Sequence, residues 1–400
     1  MTTASLDWLI IGGGIHGVHI AACLLAEAKI APNQLRIVDP GSKLLERWET
    51  CTAITGMTHL RSPAVHHLDL DAWSLNRFAG KPKRQSLGLM KGKYRKPALS
   101  LFNSHCEKVI HQYGLSKLHI QDRAVACSVG CEEVNVSFVS GNEVKAKNLV
   151  LAIGAAEQPH WPEWAPQDHA RVHHIFAPGF DGWPSSSEAV AVIGGGISSA
   201  QVALRLARAG HEVHMVVRHA LREENFDSDP GWLGPKNMVQ FDKESNLNRR
   251  RRMINDARHR GSMPPDVSSA LRRAIDHSQI QWHATAVEEV SQGETELRLQ
   301  LKDGCALDVD RILLATGFSK KRPGGALVDD LIESASLPCA ECGYPVVDES
   351  LRWHSNIFVT GPLAELEIGP VSRNIAGARR AASRLVEVAR KDKAGLQKAS

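Results

Sequence analysis

Trp8–Asp39 reads WLIIGGGIHGVHIAACLLAEAKIAPNQLRIVD, and Ala189–Arg218 reads AVAVIGGGISSAQVALRLARAGHEVHMVVR. The two stretches state one plan twice. A short apolar run, Trp8–Ile11 or Ala189–Ile193, enters three consecutive glycines. An Ala- and Leu-rich segment follows, Val18–Ala28 or Ala200–Ala209, whose composition favours a helix, and Gly210 stops the second one. A second strand-like run, Leu35–Val38 or Glu212–Val217, then ends on a charged residue, Asp39 in the first copy and Arg218 in the second. An apolar strand, a glycine turn, a helix and another strand make the βαβ unit of a parallel sheet.

Working outward, each copy runs through a long excursion into alternating segments and then a tight apolar strand ending in glycine. The first is Val125–Val144 leading to Leu149–Gly154 (LVLAIG), the second Ala284–Leu307 leading to Ile312–Gly317 (ILLATG). The expected fold is therefore α/β, with two Rossmann-like doubly wound domains, each carrying a β-meander, and the second domain inserted into the first. Residues 1–165 open the first domain, 170–305 form the inserted one, and 306–400 return to the first. A chain of 400 residues exceeds what one core usually serves. The Pro- and Trp-rich stretch Gln158–Trp183 is expected to be a connection rather than a core element.

The first loop places Gly12, Gly14, Ile15, His16 and Gly17 between strand and helix, with Asp39 22 residues after Gly17 and Pro40 beside it. Gly12 permits the tight turn, Gly14 lets a pyrophosphate approach the backbone, and Gly17 lets helix and strand pack closely. Asp39 suits the ribose hydroxyls of an adenosine. Val125 and Gly154, on the later segments of the same copy, complete the expected first site. The second loop offers Gly194, Gly196, Ile197, Ser198 and Ser199, with Gly317 on its closing strand. Here Ser199 replaces the third glycine, and Arg218 stands where the first copy has its acid. A guanidinium attracts a 2′-phosphate that a carboxylate would repel, so NADPH is expected over NADH, with His219 assisting. FAD in the first loop and NADPH in the second form the economical pair, one held tightly and one exchanging.

Composition removes several classes. The net charge of +4 and the absence of any apolar run of membrane-spanning length argue against a nucleic-acid binder or a membrane anchor. The N-terminal residues MTTASLDWLII show no leader, which points to the cytoplasm. Two basic clusters, Lys81–Lys96 with seven Lys or Arg and the run Arg249–Arg252, read as solvated faces, with docking of an acidic electron-transfer protein as the alternative. Cys339 and Cys342 form a CxxC that opens no evident helix, and the adjacent pairs His66-His67 and His173-His174 point to opposite faces of a strand. No metal site is expected.

With these residues in place, the chain resembles two-domain flavoproteins, nearest to the flavin-dependent N-hydroxylating monooxygenases of lysine and ornithine. The resemblance rests on Gly12–Gly17, on Gly194–Gln201 (GGGISSAQ) and on Asp310–Phe318 (DRILLATGF), with looser likeness at Met57–Pro63, Arg171–Ile175 and Asp227–Pro235. It implies that Trp48 and Met57 lie near the flavin ring and Asp227–Trp232 near the nicotinamide. It also makes Gly361-Pro362 and Pro370-Val371, followed by a helix over Ser372–Val388, the segment that closes on the flavin. His59 and Arg61, in the stretch expected near the flavin, are the candidates for orienting substrate. The Asn-Tyr element of the substrate region of those hydroxylases is missing, so their amino-acid substrate is not carried over.

Three functions follow as expectations. The first is an NADPH-consuming monooxygenase that forms a flavin C4a-hydroperoxide with O₂ and hydroxylates a small amine-type nucleophile. The second is a reductase passing electrons to a disulfide, quinone or iron–sulfur partner; Cys51 stands alone where such a disulfide pair is usual. The third is a nucleotide-binding sensor without turnover.

Overall fold

A computed structural model describes residues 5–80, 88–293 and 296–399; the first part of the basic stretch Lys81–Lys96 lies outside the described residues. The first apolar run forms β1 (Leu6–Ile11) and its Ala-rich continuation α1 (Ile15–Ala26), followed by β2 (Leu35–Asp39) and β3 (His119–Gln121). A meander of β4 (Ala124–Val129), β5 (Val134–Phe138) and β6 (Glu143–Leu151) completes the first copy. The second contains β7 (Val172–His174), β8 (Ala189–Ile193), α2 (Ile197–Arg208), β9 (Glu212–Val216) and β10 (Gln281–His283). Its own meander is β11 (Val287–Gln292), β12 (Leu297–Leu301) and β13 (Ala306–Val309), and β14 (Arg311–Leu314) follows. The chain returns through β15 (Arg352–His354), β16 (Ile357–Val359) and the long α3 (Ile375–Ala399).

In the first sheet the order is β15-β16-β6-β1-β2-β3, with β4 and β5 attached through β6. Ile11 at the end of β1 lies opposite Val38 on one side and Leu151 on the other, both parallel. The second sheet runs β10-β9-β8-β14-β7, all parallel, and Ile193 lies opposite Val216 and Leu314 in the same way. Leu9, Ile10, Val190 and Val192 are fully buried, which explains why these strands read as unbroken apolar runs: both sheet faces are covered. α3 packs on α1. Among the described residues no helix is long and apolar enough to cross a membrane.

The structure corrects two expectations. The stretch Gln158–Trp183 is more than a connection, because β7 pairs in parallel with β14, Val172 opposite Ile312. Three residues, two of them histidine, are too few to show an alternating pattern, and β7 owes its burial to a partner far along the chain. The return to the first sheet also begins later than residue 306. β13 and β14 belong to the second unit, since Ile312–Leu314 flanks β8 just as Leu149–Leu151 flanks β1. The two crossing segments pair with each other, His160 N–H donating to Gly317 O at 2.9 Å and Ser319 N–H to Gln158 O at 2.8 Å.

Candidate functional site

The first loop leaves the carboxyl end of β1 at the centre of its sheet. Gly12 has φ +114°, and a Cβ there would meet Ala152 O at 2.4 Å; a Cβ on Gly17 would meet Gly12 O at 1.8 Å. Only glycine fits either place. Nothing lies within 4 Å of a Cβ built on Gly14, and no side chain caps α1. The orphan N–H groups of the first turn therefore face open space with the positive end of the helix dipole behind them. Asp39 braces the loop, its carboxylate accepting from Gly13 N–H at 2.7 Å and Gly41 N–H at 2.9 Å.

His16 joins this loop to the return segment. Its Nδ1 lies 2.8 Å from Thr360 Oγ1, and its ring is adjacent to Gly361, while Ser372 Oγ donates to Gly361 O at 2.6 Å. Burial pushes the His16 imidazole down to about 4, so it is neutral near pH 7. Pro362, Pro370 and Val371 of the return segment are buried. The helix expected from Ser372 starts at Ile375 instead, after a 3-10 turn over Pro370–Arg373. Asn374 Oδ1 accepts from Gly377 N–H at 3.1 Å, an N-cap that sequence reading passed over although Asn three residues before the capped amide is a legible signal. Trp48 donates from Nε1 to Asn103 Oδ1 at 3.1 Å and packs on Phe102, Met57 is partly buried against the core, Pro40 is exposed, and Val125 is 43% exposed.

The second loop repeats the first at the end of β8. A Cβ on Gly194 would lie 2.5 Å from Ala315 O, the counterpart of the Gly12 and Ala152 contact. Ser199 in the third glycine's place turns its Oγ back to Gly196 O at 2.7 Å. Ile197 and Ser198 open α2, and Gly317 stands where the crossing segments pair. Arg218 is exposed, with no hydrogen bond or ion pair among the described residues. His219 donates from Nδ1 to Ala220 O at 2.8 Å, because a carbonyl only accepts, which leaves Nε2 as the free ring nitrogen. That nitrogen lies 2.9 Å from a Cβ built on Gly195 and 2.8 Å from one built on Gly261, so the imidazole tip rests between two glycine backbones.

The segment between the loops is closed by arginines. Arg61 donates to Glu224 O at 2.8 Å, Phe226 O at 2.6 Å and Ser262 Oγ at 2.9 Å, so its guanidinium staples the Met57–Pro63 stretch to the second unit and has few donors left for a substrate. His59 is half-buried, its Nε2 2.8 Å from Gly88 O. Arg258 pairs with Asp227 at 3.5 Å and donates to Pro370 O at 3.3 Å, linking the Asp227–Trp232 stretch to the return segment. Half of the run Arg249–Arg252 departs from the solvated face expected: Arg249 and Arg252 are exposed, but Arg250 pairs with Glu367, and Arg251 with the buried Glu365. The acidic partners stand over a hundred residues away, where no local pattern announces them.

All eight cysteines are free thiols, Cys339 exposed and Cys342 half-buried. Burial raises the Cys51 thiol, which leaves it a poor thiolate. No group of His, Cys, Asp and Glu among the described residues could hold a metal ion.

Comparison with known proteins accords with this geometry. The pyridine nucleotide-disulphide oxidoreductase family model matches residues 9–258, and a second model of the same description matches residues 245–389. Glutathione reductase of Schizosaccharomyces pombe is 24% identical over 306 residues, 74% of this chain and 54% of its own, so the chain spans about half the length of that curated relative. Among solved structures, the ornithine N-hydroxylase of Kutzneria sp. 744 superposes with a TM-score of 0.79 at 17% identity, covering 97% of this chain and 100% of that one. L-lysine 6-monooxygenase from Pseudomonas syringae gives 0.74 at 18%, covering 96% and 99%. At such identities the likeness establishes the two-unit fold.

Proposed function

Because the chain belongs to the pyridine nucleotide-disulphide oxidoreductase family, we propose that its first loop holds FAD and its second NADPH, and that it is a monooxygenase hydroxylating a small amine-type nucleophile with O₂. The residues present fit both groups. The open space at Gly14 and the uncapped start of α1 suit a pyrophosphate, and the neutral His16 holds Thr360 and Gly361 against that loop. Bound FAD would supply the redox chemistry, taking hydride from the nicotinamide and reacting with dioxygen. The protein's own contribution is orientation and exclusion of water: Arg61 and Arg258 tie the second unit to the flavin side, and the Tyr94 and Phe226 rings pack at 4.9 Å across the same seam. Solved structures similar to this chain in fold include N-hydroxylating enzymes, and the lone, deactivated Cys51 disfavours the disulfide reductase alternative.

One observation carries the choice of coenzyme: where the first unit sets Asp39 against Gly13, the second sets the apolar Val217 against Gly195, and the next residue, Arg218, stands exposed with no hydrogen bond or ion pair among the described residues. A charge-assisted hydrogen bond is worth about 1.5–3 kcal/mol, or roughly 10- to 100-fold in binding. Arg218→Ala is therefore expected to raise the NADPH dissociation constant by that factor and leave NADH unchanged, measured by calorimetric titration of the FAD-loaded protein. Equal NADPH constants for variant and parent would sink the assignment of this loop to NADPH.

A further inference from the structure

In the second unit α2 packs beside the helix Pro265–Asp276, and the C-terminal halves of the two leave a cleft of about 350 Å³ between them. The gap is written in the sequence. Leu204 and Ala207 on α2 and Ala270 and Ala274 on its neighbour line the cleft at helical spacings of three and four residues, and the three alanines are too short to fill it. Its size falls at the small end of ligand clefts, about 300–1,000 Å³, which suits a small molecule rather than a protein segment. The remaining wall is basic. Arg208 and Arg273 line it, one from each helix; both are exposed, and neither guanidinium has a hydrogen bond or ion pair among the described residues. None of the residues lining the cleft is acidic. A cation in the last turn of a helix suits the dipole there, which accounts for either arginine taken singly. Two of them bordering one cleft, with no carboxylate to share, repel each other, and an anion seated between them would replace that repulsion with charge-assisted hydrogen bonds.

We propose that this cleft binds a small organic oxyanion, its carboxylate or phosphate held by Arg208 and Arg273 and its apolar body laid on Leu204, Ala207, Ala270 and Ala274. The site is separate from that of the coenzyme. Gly196 opens α2, and the cleft begins at Leu204, about 12 Å further along the helix axis, so the proposal stands whether or not the second loop takes NADPH. Between the two ends, Arg205 donates to Ala53 O at 2.8 Å and Ile54 O at 3.1 Å. An occupant of the cleft therefore rests on a helix that begins at the second glycine loop and fastens the second unit to the first.

The test is calorimetric titration of the FAD-loaded protein with hexanoate and hexyl phosphate, set against acetate, inorganic phosphate and hexanol. Wild type is expected to bind at least one hexyl anion more tightly than its bare head group and more tightly than hexanol. Replacing both arginines, Arg208→Gln with Arg273→Gln, is expected to weaken that probe about tenfold or more, each guanidinium contributing between the worth of a surface pair and that of a charge-assisted hydrogen bond. Ala270→Met fills the floor and keeps both charges, so it should weaken the hexyl anion and leave the bare head group as it was. Tighter hexanoate identifies a carboxylate as the ligand's head, tighter hexyl phosphate a phosphate monoester. The proposal is overturned if wild type binds neither hexyl anion, if the head groups or hexanol bind as tightly, or if the double glutamine variant keeps the affinity of wild type. Should thermal melts show that variant unfolded, Ala270→Met decides alone, and unchanged hexyl binding in it overturns the proposal.

Discussion

Melting curves recorded at pH 7.5, 6 and 5 are expected to show a steep loss of stability in mild acid. Burial pushes His16, His19, His66, His105 and His174 each down to about 4 from an ordinary 6.5. In the unfolded chain these imidazoles protonate below pH 6.5, whereas in the fold they stay neutral until about pH 4. The unfolded state therefore binds more protons throughout that window. Their stabilising contribution is complete above pH 6.5 and is lost as pH falls towards 4, on the order of 1.4 kcal/mol per pH unit for each residue. Against a total stability of about 5–15 kcal/mol, a few such residues decide the outcome. Four of the five lie in the first unit: His105 bonds Ser74 Oγ at 2.9 Å, His19 bonds Leu68 O at 2.8 Å, and His16 sits in the first loop. That unit should open first, releasing flavin before the second sheet melts. A midpoint unchanged between pH 7.5 and 5 would contradict the burial of these rings.

Glu365→Ala is expected to be the most damaging single substitution away from the glycine loops. Its carboxylate, 2% exposed, pairs with Arg251, 14% exposed, and receives Arg373 Nε at 2.6 Å, with Arg373 18% exposed. The pairs bind the helix Leu247–Ala257 of the second unit to the return segment. Arg251 also lies over the buried Tyr344 ring at 3.6 Å, and Tyr344 accepts from Arg373 at 3.0 Å. Removing the acid strands two guanidiniums in a poorly hydrated seam, which costs about 3–5 kcal/mol. Urea denaturation should show this as a lowered midpoint. Because the return segment carries Gly361 and Pro370, FAD retention should fall as well. A loss below about 1 kcal/mol, the usual worth of a surface pair, would mean that the network is open to water.

The two βαβ units were legible because each is written locally. A strand buried on both faces reads as an apolar run, and its glycine loop reads as a turn that admits no Cβ, as Gly12 and Gly17 show. Elements held by distant partners were not legible. β7 depends on β14, and Arg250 and Arg251 of the basic run look solvated until Glu367 and Glu365 arrive from the far end of the chain. Arg61 was singled out as a candidate for orienting substrate; that it also staples the two units was not legible, since its acceptors are backbone carbonyls that no sequence pattern marks. Lys96 drew no notice within a basic stretch read as solvent-facing. Its burial follows from the hairpin that Met90–Lys91 makes with Lys96–Pro97.

The most direct test of the account is stopped-flow absorbance of the FAD-loaded protein, mixed anaerobically with NADPH or NADH and then with oxygenated buffer. The account predicts flavin bleaching that is faster with NADPH. On addition of oxygen it predicts a transient near-ultraviolet band before the oxidised spectrum returns. Failure of the protein to retain FAD, or of either nucleotide to bleach it, would contradict the two-loop reading, and direct return to oxidised flavin with release of peroxide would contradict the oxygenase.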